Sequence, residues 1–173
     1  MLYFIRHGQS RANVDRVFAG SRYYAPLTVQ GKAQAGQVGQ RLFDEHIHID
    51  RIIASPIERA LQTAQIIAQS IGIDPDEVRI DPRLAEYDMG ELSGKPLAGV
   101  SAVEIVSAPG AEDPLAFRRR VHTALDDAKS LPGNTLLVSH AGVGRMIEAI
   151  QQGLEPARFY EIEAYPNIQI VPL

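Results

Sequence analysis

Short apolar runs alternate along the chain with longer segments in which apolar residues recur every three or four positions. Runs rich in apolar and β-branched residues predict strands, and the wider spacing predicts amphipathic helices. The predicted strands cover residues 3–5, 51–54, 78–80, 135–138, 160–163 and 168–171. The run 135–138 contains no charged residue, which is typical of a central strand buried on both faces.

The helical spacing covers residues 28–45, 55–71, 112–130 and 142–151. Thr28 is placed to cap the first of these helices. Ser55 is placed to cap the second, with Pro56 in its first turn and Glu58 completing a capping box. Gly72 ends the second helix. The apolar residues expected to face the core are Ala60, Ala64, Ile67 and Ile71 in the second helix, and Phe117, Val121 and Leu125 in the third.

The order strand, helix, strand, helix predicts an α/β fold with a mostly parallel sheet. No internal repeat, low-complexity tract or linker interrupts the pattern, so we expect one domain over residues 1–173. Segment 92–113 is the exception, because it is rich in small residues, glycine and proline. It predicts either a lid or a loose surface loop.

Composition excludes several classes of protein. The chain has no cysteine, so disulfides, thiolate zinc sites and cysteine nucleophiles are excluded. The net charge of -4 shows no basic bias, which disfavours a nucleic-acid partner, and the cluster 118–120 fits a solvated helix face. No apolar run is long enough to span a bilayer, and Met1 leads directly into the first strand. We therefore expect a cytoplasmic protein with no membrane partner.

Polar side chains that can carry chemistry follow the predicted strands. His7 follows the first strand, Arg59 the second, Glu86 the third and His140 the fourth. Open α/β sheets bind ligands at the carboxyl ends of their strands. The spacing therefore predicts one pocket that contains these residues together with Arg6.

These residue types suit phosphoryl transfer. Arg6 and Arg59 can bind phosphate oxygens, and His140 can donate a further hydrogen bond. His7 can attack phosphorus if its nitrogen is unprotonated, and the two guanidinium groups should lower its pKa. Glu86 can hold a proton for the departing oxygen and later take one from water.

Four motifs resemble those of the histidine phosphatase superfamily, the group related to cofactor-dependent phosphoglycerate mutase. They are Arg6-His7-Gly8-Gln9-Ser10 with Asn13, Ser55-Pro56-Ile57-Glu58-Arg59-Ala60-Leu61-Gln62-Thr63-Ala64, Leu84-Ala85-Glu86 with Gly90 and Gly94, and Ser139-His140-Ala141-Gly142. The resemblance implies a three-layer α/β/α sandwich with no metal and no cofactor. It also implies His7 as the phosphorylated nucleophile, Glu86 as proton donor, and Arg6, Arg59 and His140 as the phosphate pocket, with Asn13 as a secondary ligand.

Further candidate ligands surround this pocket. Gly20 and Ala141 are assigned to phosphate or substrate binding. Gln9 either contacts phosphate or only holds its loop. Arg22 and Tyr24 follow the His7 loop, so they either line the substrate mouth or pack at its rim.

The sequence departs from the family pattern in two places. Tyr23-Tyr24-Ala25 occupies a position where many members carry an acidic residue. Glycolytic mutases of the family have a longer insertion with paired basic residues, whereas here the stretch 97–108 contains no Lys or Arg. We therefore expect a phosphatase rather than a mutase.

Several functions remain open at this stage. The first is a hydrolase of small-molecule phosphomonoesters, and the second is a protein phosphohistidine phosphatase. Glu86 favours the first, because a phosphohistidine leaving group needs less help from an acid. The third is a 2,3-bisphosphoglycerate-dependent mutase, and the fourth is a non-enzymatic binding protein. Homo-oligomers are compatible with the sequence.

Overall fold

The computed structural model describes residues 1–173, and a five-stranded sheet lies at its centre. The strands are β1 (Leu2–Arg6), β2 (Arg51–Ala54), β3 (Arg79–Ile80), β4 (Thr135–Ser139) and β5 (Ile170–Pro172). Their spatial order is β3-β2-β4-β1-β5. The first four strands are parallel, and β5 runs antiparallel to β1. Strand β4 is buried along its whole length, as its sequence predicts.

Helices connect the strands. The α-helices are α1 (Arg11–Asp15), α2 (Val29–Asp44), α3 (Glu58–Ser70), α4 (Ala102–Val106), α5 (Pro114–Ser130) and α6 (Ala141–Gln151). Short 3-10 helices occupy Pro75–Glu77, Pro82–Leu84, Gly90–Leu92 and Pro156–Glu161. None of these helices has the length and apolar content needed to cross a membrane.

Two hydrophobic cores separate the layers, one on each face of the sheet. Because neighbouring strand residues point to opposite faces, Phe4 packs in the core with α5 and α6, while Ile5 packs in the core with α2 and α3. Leu137 and Val138 of β4 divide in the same way. The predicted three-layer α/β/α sandwich with a mostly parallel sheet is confirmed.

The beginnings of α2 and α3 differ in how well the sequence predicts them. The Thr28 hydroxyl accepts a hydrogen bond from the Gly31 amide at 2.9 Å, so the predicted cap is confirmed. The predicted capping box of α3 is wrong, since the N-cap residue is Ile57. The Ser55 hydroxyl turns instead toward the Ile57 amide and His140.

The C-terminal segment is mostly not strand. The predicted strand 160–163 is wrong, because its first two residues belong to the 3-10 helix Pro156–Glu161. Phe159 of this helix packs its ring against the rings of Tyr87 and Phe117. The predicted strand 168–171 begins later, at Ile170. Ile168 has a φ of 64°, in the left-handed region, which a strand residue does not adopt.

Segment 92–113 is an ordered cover over the carboxyl ends of the strands rather than a loose loop. It contains α4, which begins with a capping box between Ser101 and Glu104. Ile105 is buried in the core shared with α5 and α6. A bridge between Met89 and Ala111 ties the end of the segment to the residues that precede it.

Candidate active site

A cavity of about 420 Å³ lies where β1 ends, beneath segment 92–113. Arg6, His7, Arg59 and Glu86 all line it. His140 is buried directly behind them, with its ring centroid 5.2 Å from that of His7. The structure therefore brings together the residues predicted from four separate strand ends.

The His7 loop is held by backbone contacts to three neighbouring elements. The His7 amide donates to the Ser139 carbonyl at 2.9 Å, so the loop continues the pairing of β1 with β4. The Gly8 amide donates to the Thr63 hydroxyl of α3 at 3.1 Å. A Cβ on Gly8 would lie 2.4 Å from the Gly31 carbonyl oxygen, so only glycine permits this approach to α2.

The contacts of the His7 ring define its tautomer. Nδ1 lies 2.7 Å from the Gly8 carbonyl oxygen, which can only accept, so Nδ1 carries the proton. Nε2 receives a hydrogen bond from Arg59 Nε at 3.2 Å. Because a guanidinium can only donate, Nε2 is unprotonated and its lone pair points at Arg59, which also lines the cavity.

His7 is neutral over a wide pH range. Burial lowers its pKa well below the usual value and is the largest cause, followed by the positive charges of Arg59 and Arg6. The sequence predicts the direction of this shift from the two guanidinium groups. The structure adds burial as the larger effect.

Arg59 and Arg6 line the cavity together with His7. Arg59 is in the first turn of α3, only 2% exposed, and its Nη2 donates to the Gly20 carbonyl at 2.8 Å. Arg6 ends β1, and its Nη1 donates to the Tyr165 carbonyl at 3.1 Å. Its buried Nε has no protein partner. Both guanidinium groups retain donors for an anion in the cavity.

His140 is held by Ser55. The Ser55 hydroxyl oxygen accepts from the Ile57 amide at 3.2 Å and lies 2.7 Å from His140 Nε2. If the hydroxyl proton points at Nε2, all polar atoms of Ser55 are satisfied and the proton of His140 sits on Nδ1. In that tautomer Nδ1, which is buried and has no protein partner, has its proton available for a ligand. Burial first, and then Arg59, lower the pKa of His140 well below its usual value.

Glu86 is buried next to the start of α6. Its Oε1 accepts from the Tyr87 amide at 2.8 Å, and its Oε2 accepts from the Gly142 amide at 3.1 Å. The side chain is 6% exposed and lines the cavity. Glu86 is the only acidic residue in the cavity lining, and the other charged lining residues are arginines.

The other predicted ligands divide into two groups. Asn13, Gly20 and Ala141 line the cavity. Asn13 Oδ1 accepts from the Ser10 amide at 2.9 Å, which leaves the amide nitrogen of Asn13 for a ligand.

Gln9, Arg22 and Tyr24 lie outside the cavity lining. Gln9 Oε1 accepts from the Thr28 hydroxyl at 2.8 Å, which fits the loop-holding alternative. Arg22 is turned away because its Nε donates to Asp88 at 2.8 Å. Tyr24 is 71% exposed and lines a separate shallow cavity beside Glu58.

Arg145 and Tyr160 are among the lining residues that sequence reasoning missed. Arg145 lies four residues after Ala141, a helical spacing that places both on one face of α6, so a signal was present. Tyr160 gave no usable signal, because its segment was predicted as a strand. The structure contains no group of three His, Cys, Asp or Glu side chains arranged to hold a metal ion.

A family model for the histidine phosphatase superfamily (branch 1) matches residues 2–173. The chain belongs to the histidine phosphatase superfamily. The probable phosphoglycerate mutase GpmB of Salmonella choleraesuis is 35% identical, with 86% of this chain and 74% of that protein covered. The chain therefore resembles this relative over most of both sequences.

Solved structures share the fold. Bacillus stearothermophilus YhfR has a TM-score of 0.82 at 24% identity, covering 98% of this chain and 88% of that one. The alpha-ribazole phosphatase of Shigella flexneri has a TM-score of 0.77 at 25% identity, covering 98% and 87%. A mycobacterial glucosyl-3-phosphoglycerate phosphatase, solved with VO3, has a TM-score of 0.77 at 23% identity, covering 98% and 90%.

Proposed function

We propose that this histidine phosphatase hydrolyses small-molecule phosphomonoesters through a phosphohistidine intermediate on His7, without a metal ion. The observation that carries the proposal is the orientation of the His7 ring. Its Nδ1 proton is bound to the Gly8 carbonyl, and its Nε2 accepts from Arg59 at the cavity. A phosphate oxygen that enters the cavity can take over the Arg59 donor, and the unprotonated Nε2 is then free to attack phosphorus.

The reaction divides into two displacements. In the first, His7 Nε2 forms a bond to phosphorus, the bond from phosphorus to the ester oxygen breaks, and the Glu86 carboxyl gives its proton to that oxygen. In the second, water attacks phosphorus, Glu86 takes the proton of the water, and the nitrogen–phosphorus bond breaks. Inorganic phosphate then leaves, and both residues return to their starting states.

Cationic and neutral donors stabilise the phosphoryl group in both steps. Arg6 and Arg59 bind its oxygens, His140 donates from Nδ1, and Asn13 donates from its amide nitrogen. Charge on the transferring group is then balanced by guanidinium groups, which is the role that a metal ion has in many other phosphatases. Two similar structures are named phosphatases, which agrees with this proposal.

A mutase is the second candidate, because the curated relative at 35% identity is named a probable phosphoglycerate mutase. A mutase must retain a doubly phosphorylated intermediate while it reorients. The cover of this site has no Lys or Arg between residues 97 and 108 with which to close over such an intermediate and exclude water. Hydrolysis is therefore the favoured outcome.

The test is hydrolysis of 4-nitrophenyl phosphate in the presence of EDTA. We expect activity in the native chain and none in His7→Ala, with phosphate found on His7 after an alkaline quench and mass spectrometry. Arg119→Gln, on the exposed face of α5, is the matched control and should behave like the native chain. Loss of activity with EDTA, or no phosphorylated His7, would refute the proposal. Stimulation of phosphoglycerate interconversion by 2,3-bisphosphoglycerate would favour the mutase.

A further inference from the structure

A third guanidinium group lies in the candidate active site. Arg145 of α6 lines the cavity, and its Nε donates to the Ile162 carbonyl at 2.8 Å. The guanidinium carbon lies 4.4 Å from the centre of the Tyr160 ring, so the group is stacked on an aromatic face. These two contacts hold the side chain in place while leaving both terminal nitrogens without a protein acceptor.

No carboxylate neutralises Arg145. The ion pairs of the structure involve other arginines and histidines, and none includes Arg145. A half-buried guanidinium is costly to leave unpaired, so an unpaired one in a cavity is a candidate site for an anion.

The charge balance of the cavity leaves Arg145 free when phosphate is bound. The charged lining residues are Arg6, Arg59, Arg145 and Glu86. In the proposed first step Glu86 carries a proton, so three positive charges face the dianion of a phosphomonoester. Arg6 and Arg59 match that dianion, and one positive charge remains.

Arg145 shares the cavity lining with Arg6 and Tyr160. Its positive charge acts on the pKa values of Arg6 and Tyr160, whereas the guanidinium groups that lower the pKa of His7 are Arg59 and Arg6. The cover contributes apolar residues to the cavity lining, among them Leu97, Val100 and Ile105.

We propose that the preferred substrate carries a second anionic group, bound by Arg145, on a compact apolar body that contacts the cover. The second group is a carboxylate or another phosphate, since a guanidinium binds either through paired hydrogen bonds. This inference rests on the proposed hydrolase function and names the substrate class of the same site.

The test uses matched esters that differ in one charge. Rates of hydrolysis are measured for 4-carboxyphenyl phosphate and for its neutral carboxamide counterpart, 4-carbamoylphenyl phosphate. A second pair, benzene-1,4-diyl bisphosphate and 4-methoxyphenyl phosphate, tests a second phosphate as the anionic group. For the native chain we expect kcat/KM to be about 10- to 100-fold higher for the anionic member of at least one pair.

Variants then assign the preference to Arg145. Arg145→Gln should reduce the preference for the anionic ester about tenfold or more, mainly through KM, and Arg145→Lys should restore part of it. Arg119→Gln keeps the native preference. Since a variant can lose activity by misfolding, binding of 4-carboxyphenyl phosphate to His7→Ala and to His7→Ala with Arg145→Gln is compared by calorimetry.

The outcomes separate this inference from the proposed function. A preference in the carboxylate pair that is lost in Arg145→Gln supports a carboxylate, and one confined to the bisphosphate pair supports a second phosphate. Equal rates within both pairs, or a preference that survives Arg145→Gln, would overturn the inference while hydrolysis of 4-nitrophenyl phosphate still stands. Failure of every ester, including 4-nitrophenyl phosphate, would overturn the hydrolase function and this inference together.

Discussion

Two buried imidazoles lie next to each other at the candidate active site, and a different contact orients each ring. His7 relies on a backbone carbonyl, which no substitution removes. His140 relies on the hydroxyl of Ser55, which connects the end of β2 to the end of β4. A backbone carbonyl for His7 and one side chain for His140 therefore determine which ring nitrogen meets a ligand.

Ser55→Ala should free His140 to change tautomer. Removing one buried hydrogen bond costs about 1–3 kcal/mol, so we expect a loss of about tenfold in kcat/KM. Nitrogen NMR of the histidine rings should reveal a mixture of tautomers, and Ser55→Thr should retain the native one. A single unchanged tautomer in Ser55→Ala would contradict the assigned role of the hydroxyl.

Stability should fall in mildly acidic solution because both imidazoles are buried and neutral. Their pKa values are lowered in the folded state, so below about pH 6.5 the unfolded chain binds protons that the folded chain does not. This contribution to stability is complete above pH 6.5 and is lost as the pH falls toward the folded-state values. For two such groups, the free energy of unfolding falls by at most about 2.7 kcal/mol for each pH unit.

Urea unfolding at a series of pH values measures this slope. His140→Asn has one buried imidazole fewer, so the part of the pH slope that comes from buried histidines should be about half as large. An identical pH dependence in the native chain and in His140→Asn would show that the buried ring does not govern acid stability.

At the scale of elements, α5 holds the loop that carries Glu86. Arg120 of α5 donates to the carbonyls of Arg83 and Ala85 at 2.7 and 2.6 Å, and to the Glu86 carbonyl at 3.2 Å. Its Nε and Nη2 also bind the Glu112 carboxylate at 2.7 and 2.8 Å. The Arg120 guanidinium thus fixes the backbone of the loop that carries Glu86 to α5.

Arg120→Met should impair proton transfer by Glu86 more than substrate binding. A poor leaving group needs the proton more, so the loss of kcat should be about tenfold larger with phenyl phosphate than with 4-nitrophenyl phosphate. Arg119→Met, one position away on the exposed face of α5, should change neither rate. Equal losses on the two esters would indicate a purely structural role for Arg120.

At the scale of the whole molecule, the site joins the two faces of the sheet. Arg59 comes from α3 on one face, Arg145 from α6 on the other, and His7 from the strand between them. Only the folded chain brings these groups together, so an anion bound among them stabilises the fold as a unit.

Inorganic phosphate should therefore raise the thermal unfolding temperature. At one hundred times its dissociation constant, a ligand that binds only the folded state adds about 2.7 kcal/mol of stability. Thermal scans in phosphate are compared with scans in chloride at equal ionic strength. In Arg6→Gln, the unfolding temperatures in phosphate and in chloride should be equal. Equal unfolding temperatures of the native chain in the two salts would contradict the anion site.

Local patterns were sufficient to predict most of the architecture. The strands β1, β2 and β4 and the helices α2, α5 and α6 follow from apolar periodicity, because that periodicity is set by side-chain spacing within each element. The motif residues around His7, Arg59, Glu86 and His140 could be placed at one edge, because parallel strands end on the same side of a sheet. Their catalytic roles remain predictions.

Contacts between distant segments decided the rest. Ser55 looked like a helix cap, yet its partner is His140, 85 residues away. Arg120 and Arg145 read as ordinary helix residues until their neighbours were in place. Ile168 and Tyr160 sit in segments whose conformation depends on packing against β1 and the aromatic core. Periodicity reports which face of an element is buried, but not which polar groups meet across the molecule, because those depend on how the elements pack.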